Sequence, residues 1–243
     1  MDSEAHRAAT RLAYDRLAPV WDETDDNLWN EALERTMVRR LLPAELTGMS
    51  VLDAGCAAGA HAEWLAAHGA QVTALDLSSA MVRAAQARLG AGALLVGDLD
   101  AGLPFVDEVF DGVLCSLVLH YLADMAPALR EFRRVLRPGG WLLLTLDHPA
   151  NFEDRRDDYF ATRLITDTWM KKGVAVEQTF WRRPLEATVD DLAAAGFLLE
   201  RIGETQPDEE ARRRFPEEAA MIEGSPTFIG YLAVPAARRT PPG

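Results

Sequence analysis

Three aspartates set the chemistry that this chain could perform. Asp53, Asp76 and Asp98 each follow a short run that reads as a strand: Ser50-Val51-Leu52, Gln71 to Leu75, and Ala93 to Val96 with Gly97. After Asp53, Gly55, Ala57, Ala58 and Gly59 leave almost no side-chain bulk before a helix begins at His61. A buried strand that ends in a carboxylate and turns tightly into a helix makes a nucleotide-sized hole, faced by backbone N–H groups and the positive helix end. Asp76 lies 17 residues beyond Gly59, one helix and one strand later, where an acid can grip both hydroxyls of a ribose. A Gly-Asp pair such as Gly97-Asp98 is by itself an ordinary turn. Three consecutive strand-end acids are a different matter, because the carboxyl ends of an open parallel sheet line its ligand crevice.

The elements that must position these acids follow in order. Residues 3 to about 42 have helical spacing, with Leu12, Leu17, Val20, Trp21, Leu28, Leu33, Met37, Val38 and Leu41 as the apolar set, and Pro19 is expected to split them into at least two pieces. Residues 60 to 68 form a helix ended by Gly69, and Ser78-Ser79 start another. Phe110 to Ser116 is a nearly continuous apolar run suited to a strand buried on both faces. A helix from about Met125 to Leu136 leads through the Arg137-Pro138-Gly139-Gly140 turn into a strand at Trp141 to Leu144. From Asp147-His148-Pro149 to Arg183 runs an insertion with Phe152, Tyr159, Phe160, Trp169, Phe180 and Trp181, expected to be a substrate lid with some helix. Thr188 and Asp191 read as a helix N-cap signal, Phe197 to Ile202 and Thr227 to Val234 as late strands, and the tail from Pro235 as frayed.

Composition narrows the class. With 49% hydrophobic and 26% charged residues the 243-residue chain reads as a soluble globular protein able to bury a sizeable core. The net charge of −13, from 38 acids against 25 bases, disfavours a nucleic-acid partner. Cys56 and Cys115 form neither a disulfide framework nor a CxxC motif, which fits a reducing cytoplasm. The first residues, MDSEAHRAAT, carry no apolar signal core, and no stretch approaches the roughly 18 apolar residues of a membrane helix.

The loop Asp53-x-Gly55-x-Ala57-x-Gly59 resembles motif I of the class I S-adenosylmethionine (SAM) dependent methyltransferases, Asp/Glu-x-Gly-x-Gly-x-Gly, with alanine in place of the central glycine. Tyr14-Asp15-Arg16-Leu17-Ala18-Pro19-Val20-Trp21-Asp22 resembles the first helix of the small-molecule enzymes of that family, which folds over the cofactor. Phe110-Asp111-Gly112-Val113-Leu114-Cys115-Ser116 resembles the strand that ends beside the reactive methyl, and RVLRPGGWLLL resembles the ubiquinone-biosynthesis type. The resemblance is close over residues 10 to 150. It implies an α/β, Rossmann-like, doubly wound sheet of seven mostly parallel strands with an antiparallel last strand, here as a single domain over 1–243 with a helical cap (1–45), a lid insertion (149–183) and a tail (235–243). It further implies SAM as cofactor, S-adenosylhomocysteine as product, and contacts from Tyr14, Trp21, Asp53, Gly55, Cys56, Ala57, Gly59, Asp76, Leu77, Met81, Gly97, Asp98, Leu99, Cys115 and His120. Asp98 would take the adenine amine and Met81 would flank the ring. For Tyr14, Trp21 and Met81, plain core packing is the alternative.

Methyl transfer is an in-line displacement, and the protein need add only a base when the acceptor is a hydroxyl, an ammonium or an acidic carbon. His120 and His148, at strand ends, are the candidates, each with a purely structural alternative. His61 is expected near the cofactor backbone, and His6 and His68 at the surface. Ser116-Leu117-Val118 departs from the Asn/Asp-Pro-Pro-Tyr/Phe pattern of enzymes that methylate adenine or glutamine. A small-molecule acceptor is left, methylated at oxygen, nitrogen or carbon and partly apolar to judge from the aromatic insertion. No acidic cluster has metal-ligand spacing. Two rivals stand beside this reading. A SAM-binding protein could catalyse a cyclisation instead, and a nicotinamide oxidoreductase would share the glycine loop but would want G-x-G-x-x-G, where the chain has Gly55-x-Ala57-x-x-Ala60.

Overall fold

The computed structural model describes residues 3–21, 27–90, 92–151 and 159–237. Helix α1 (Ser3–Trp21) opens the chain, and a π-helical segment (Leu28–Arg35) passes directly into α2 (Thr36–Leu41). Strands and helices then alternate: β1 (Ser50–Ala54), α3 (Ala60–Ala67), β2 (Gln71–Asp76), α4 (Ser79–Leu89), β3 (Ala93–Val96), β4 (Phe110–Ser116), α5 (Ala126–Val135) and β5 (Leu136–Asp147). The order continues with β6 (Arg163–Lys171), β7 (Val174–Arg182), α6 (Leu185–Ala194), β8 (Phe197–Glu204), α7 (Glu209–Arg214), α8 (Pro216–Met221) and β9 (Phe228–Pro235).

Seven strands form one sheet in the order β3-β2-β1-β4-β5-β9-β8, and β6 and β7 form a separate two-stranded sheet. The strand order reverses between β1 and β4, so the crevice of this α/β sheet opens at the ends of those two strands. Neighbours run parallel except at β9, which is antiparallel to both β5 and β8. The central strands are apolar throughout because helices cover both faces. Leu52, Val113, Leu142 and Leu144 face one way, with Leu129, Phe132 and Val135 of α5 in the same cluster. Val51, Leu114 and Leu143 face the other way, with Met37, Val38 and Leu41 of α2. Each such side chain, buried fully, contributes roughly 1.5–3 kcal/mol.

Several expectations need correction. Pro19 does not split the first helix: α1 runs through it to Trp21, because fully buried Leu17 and the contacts described below hold its last turns in place. Among the described residues the insertion holds a β-hairpin, β6–β7, and a short 3-10 turn at Pro149–Asn151. Its turn at Lys172-Gly173 has φ values of 44° and 79°, the left-handed pair that a two-residue hairpin loop requires. Thr188 is not an N-cap; α6 starts at Leu185, and Thr188 is buried within it, hydrogen-bonded to Tyr231. β9 extends to Pro235, and Ala236 still donates to the Gly196 carbonyl. Asp22, Phe152 and the tail from 238 lie outside the described residues.

Candidate active site

A cavity of about 610 Å³ opens at the carboxyl ends of β1, β2, β3 and β4. The first loop forms its floor. Gly55 has φ 91°, and a Cβ there would lie 2.2 Å from Val118 Cγ2, so only glycine lets the chain turn beneath that valine. The Gly55 and Cys56 N–H groups donate to the Leu75 carbonyl at 2.7 and 3.0 Å, which fastens the loop to the β2 tip. Ala57 holds φ 45°, a left-handed conformation, at the position where the family has glycine. Its N–H donates to Asp76 Oδ2 at 2.9 Å, while Ser78 N–H donates to Asp76 Oδ1 at 2.8 Å. A carboxylate has about four acceptor sites, so Asp76 keeps capacity for a ligand. Burial pushes its pKa up, and the backbone N–H groups of Ser78, Ala57 and Leu77 oppose the rise.

Helix α1 closes the cavity by docking on three strand tips. Asp15 accepts the Ser78 hydroxyl at 2.6 Å and the Ala80 N–H at 3.3 Å, placing a carboxylate at the positive end of α4. Arg7 donates to Asp98 at 3.0 Å, and Asp98 also accepts the Asp100 N–H at 2.9 Å. His6 Nε2 meets the Tyr121 carbonyl at 2.9 Å, and the Tyr14 and Tyr121 hydroxyls lie 2.9 Å apart. Trp21 stacks obliquely on Tyr14 with centroids 5.5 Å apart, and the Lys171 ammonium sits 4.0 Å over the Trp21 ring. Asp167 to Lys171 of β6 complete the wall.

At the far end, β4 stops at Ser116, and Leu117 follows at φ 54°. Thr145 of β5 holds that strained turn: its carbonyl and hydroxyl accept the Leu117 N–H at 3.0 and 3.1 Å. The chain then brings buried His120 against Asp147, with Nδ1 3.2 Å from Oδ2. The two groups are in contact by distance, and neither imidazole nitrogen has an aligned hydrogen-bond partner among the described residues. Burial, helped by the Arg183 cation, pushes His120 down to about 3 and keeps the ring neutral. Burial and the Asp167 carboxylate push Asp147 up to about 7. The pair is thus one neutral imidazole beside a carboxyl that titrates near neutrality.

Of the residues singled out from sequence, Tyr14, Trp21, Gly55, Cys56, Ala57, Asp76, Leu77, Gly97, Asp98, Leu99 and His120 line the cavity. Asp53, Gly59, Met81, Cys115 and His148 do not. Gly59 begins α3 at φ 84°, where a Cβ would lie 3.1 Å from Ala85, so it serves helix packing. Met81 is fully buried against Leu17 and Ala58, and Cys115 lies in the sheet core. Asp53 stands behind the wall at 1% exposure with Oδ2 unpartnered, and burial pushes it up to about 6. Both rings of the proposed base cannot serve alike. His148 is engaged on both nitrogens, Nε2 to Glu204 at 2.9 Å and Nδ1 accepting the Ala150 N–H at 3.0 Å, which fixes the corner after β5. His6 is buried, contrary to a surface placement, and His68 is exposed on Trp64. Both cysteine thiols are pushed up by burial and are poor nucleophiles.

Two lining residues escaped the sequence reading. Asp147 ends β5, so the strand-end rule that selects Asp76 also selects it. Glu34 is 3% exposed, accepts the Ser116 hydroxyl and lies 3.0 Å from His61 Nε2. Nothing local marks it, because its partners are 27 and 82 residues away.

Residues 52–144 match the methyltransferase domain family Methyltransf_11. A malonyl-(acyl-carrier protein) O-methyltransferase of Pseudescherichia vulneris is 30% identical over 213 residues, covering 84% of this chain and 82% of the relative. A second enzyme so named, from Erwinia pyrifoliae, is 35% identical over 147 residues; the match covers 60% of this chain and about half, 53%, of that relative's length. A SAM-dependent methyltransferase structure from Mesorhizobium loti aligns with TM-score 0.69 and 26% identity, covering 85% of this chain and 99% of the other. The strand-end acids, the glycine loop and these likenesses agree, and the chain belongs to the class I SAM-dependent methyltransferases.

Proposed function

We propose that this enzyme methylates a hydroxyl oxygen of a small, partly apolar acceptor, with Asp147 as the proton acceptor and His120 as its neutral partner in the cavity wall. The observation that carries the reading is the His120–Asp147 contact of 3.2 Å in the cavity wall. A hydroxyl needs a base and a carboxylate does not, so a neutral imidazole facing a carboxyl favours the hydroxyl. The aromatic and thioether side chains of Trp29, Trp169, Met170 and Phe228 fit a partly apolar molecule.

The residues present fit the cofactor. Gly55 leaves the floor of the loop free of a Cβ, and Asp76 has acceptor capacity left for ribose hydroxyls. Leu77, Gly97, Asp98 and Leu99 would hold the base, and Tyr14 and Trp21 would cover it from the cap. When bound, SAM supplies an electrophilic methyl group on a sulfonium. The chain's own part is to orient, exclude water and accept one proton. The proton that leaves the hydroxyl is taken up by ionised Asp147, the more basic of the pair, and the hairpin β6–β7 acts as a lid that shuts the acceptor end. His148 positions the β5 corner through Glu204.

The test is transfer of isotopically labelled methyl from SAM to a panel of phenols and aliphatic alcohols, beside a malonyl thioester of the kind named for the relatives. Label on a hydroxyl acceptor, sharply reduced in Asp147→Asn with SAM binding retained, is the expected result. Label only on the thioester's carboxylate would overturn the hydroxyl reading and align the enzyme with those relatives.

A further inference from the structure

Glu34 is a buried carboxylate that the proposed chemistry does not use. It comes from the π-helical segment of the cap, and such wide turns recur at functional positions. One oxygen accepts the Ser116 hydroxyl at the end of β4, and the other lies 3.0 Å from His61 Nε2 in the first turn of α3. Ser116 is in turn bonded to Thr145 at 2.9 Å, so the Glu34 carboxylate is held from two sides. Glu34, His61 and Ser116 all line the cavity beside Gly55 and Cys56.

Asp53 stands behind His61, 1% exposed, with Oδ2 unpartnered. Burial and the Arg35 cation oppose charge on His61, yet Glu34 and Asp53 outweigh them and raise the imidazole's pKa. Two carboxyls therefore face one imidazole. The neighbouring Arg35, paired with Glu31 at 2.8 Å, lines the cavity as well. Glu34 offers a carboxylate acceptor to a cationic group in the cavity that Asp76 also lines. Glu34 itself retains about two acceptor sites after Ser116 and His61 are counted.

We infer that Glu34, held by Ser116 and His61, receives the ammonium of the cofactor's amino-acid end, so that cap docking and recognition of that end are one event. The inference rests on the SAM reading of the cavity. It makes Glu34 a cofactor-binding residue and His61, Ser116 and Thr145 positioning residues. It also explains why an acid is kept at a position where a buried charge is costly.

The test is calorimetric titration of wild type and Glu34→Gln with S-adenosylhomocysteine, which carries the ammonium but no sulfonium, and with 5′-methylthioadenosine, which lacks the amino-acid end. The expected result is a loss of about tenfold or more in affinity for S-adenosylhomocysteine, with methylthioadenosine affinity unchanged. Equal losses for both ligands, or no loss for either, would overturn the assignment. Should Glu34→Gln fail to fold, wild type is titrated with S-adenosylhomocysteine whose amine has been removed. A drop of about tenfold supports the proposal, and unchanged affinity sinks it. Wild type silent toward both nucleosides would instead remove the SAM reading on which the inference stands.

Discussion

Asp76 Oδ2 accepts the Ala57 N–H at 2.9 Å, joining the β2 tip to the first loop at the one motif position where alanine replaces glycine. That bond helps keep Ala57 at φ 45°, a conformation costing an alanine about 1 kcal/mol or slightly more. Ala57→Gly is therefore expected to raise stability by about 0.5–1 kcal/mol, the gain being reduced by the freer unfolded chain. Urea denaturation reads this directly. A lowered midpoint would mean that the alanine methyl contributes packing that outweighs the strain.

The His120–Asp147 pair makes the rate depend on pH in a stated direction. His120 is neutral at any pH above about 3, so its form does not change across the working range. Asp147 ionises near 7, and only its anion can take up the acceptor's proton, since His120 is far the weaker base. kcat/KM should rise from pH 6 to pH 8 and level off above. Asp147→Asn should lower the plateau and abolish that limb. A variant that kept the wild-type profile would assign the titration elsewhere.

Asp53 predicts a dependence of stability on pH. Its folded pKa, about 6, lies above the unfolded value of about 3.9, so its contribution is fully present below about pH 4 and is lost as pH rises through about 6. Asp53→Asn imitates the protonated form. In ligand-free protein the variant should melt above wild type at pH 8, with the difference closing toward pH 4. A difference independent of pH would show that the carboxyl is not the titrating group.

Cap docking has its own signature. Asp15→Ala removes a carboxylate from the N-terminus of α4 and with it the bonds to Ser78 and Ala80. The expected cost is about 1 kcal/mol of stability. Limited proteolysis should cut α1 faster in the variant, and an unchanged rate would mean that Arg7, His6 and Tyr14 hold the helix without it.

The sheet was legible because its signals are local. Apolar runs ending in Asp53, Asp76 and Gly97-Asp98 declare strands and their ends in a few residues each, whereas the expected turn at Arg137-Pro138-Gly139-Gly140 is part of β5, which starts at Leu136. The hairpin was less so, since β6 and β7 mix charges with aromatics and leave one face exposed; Lys172-Gly173 between β-forming flanks was the available turn signal. Pro19 misled because tertiary contacts outweighed a local helix breaker. In the site, Asp147 followed from a rule already in use. Glu34 did not, because a single acid in an amphipathic helix reads as solvated until Ser116 and His61 are brought to it. His148 drew attention by its place before Pro149, yet its ring serves Glu204 and Ala150.

The central claim is that the cofactor's ribose rests on Asp76. Calorimetric titration of wild type and Asp76→Asn with SAM, S-adenosylhomocysteine and NAD tests it most directly. The account predicts binding of the first two and none of NAD, with affinity roughly ten- to a hundredfold weaker in the variant, the worth of a charge-assisted hydrogen bond. Equal affinity in the two proteins, or binding of NAD alone, would contradict it.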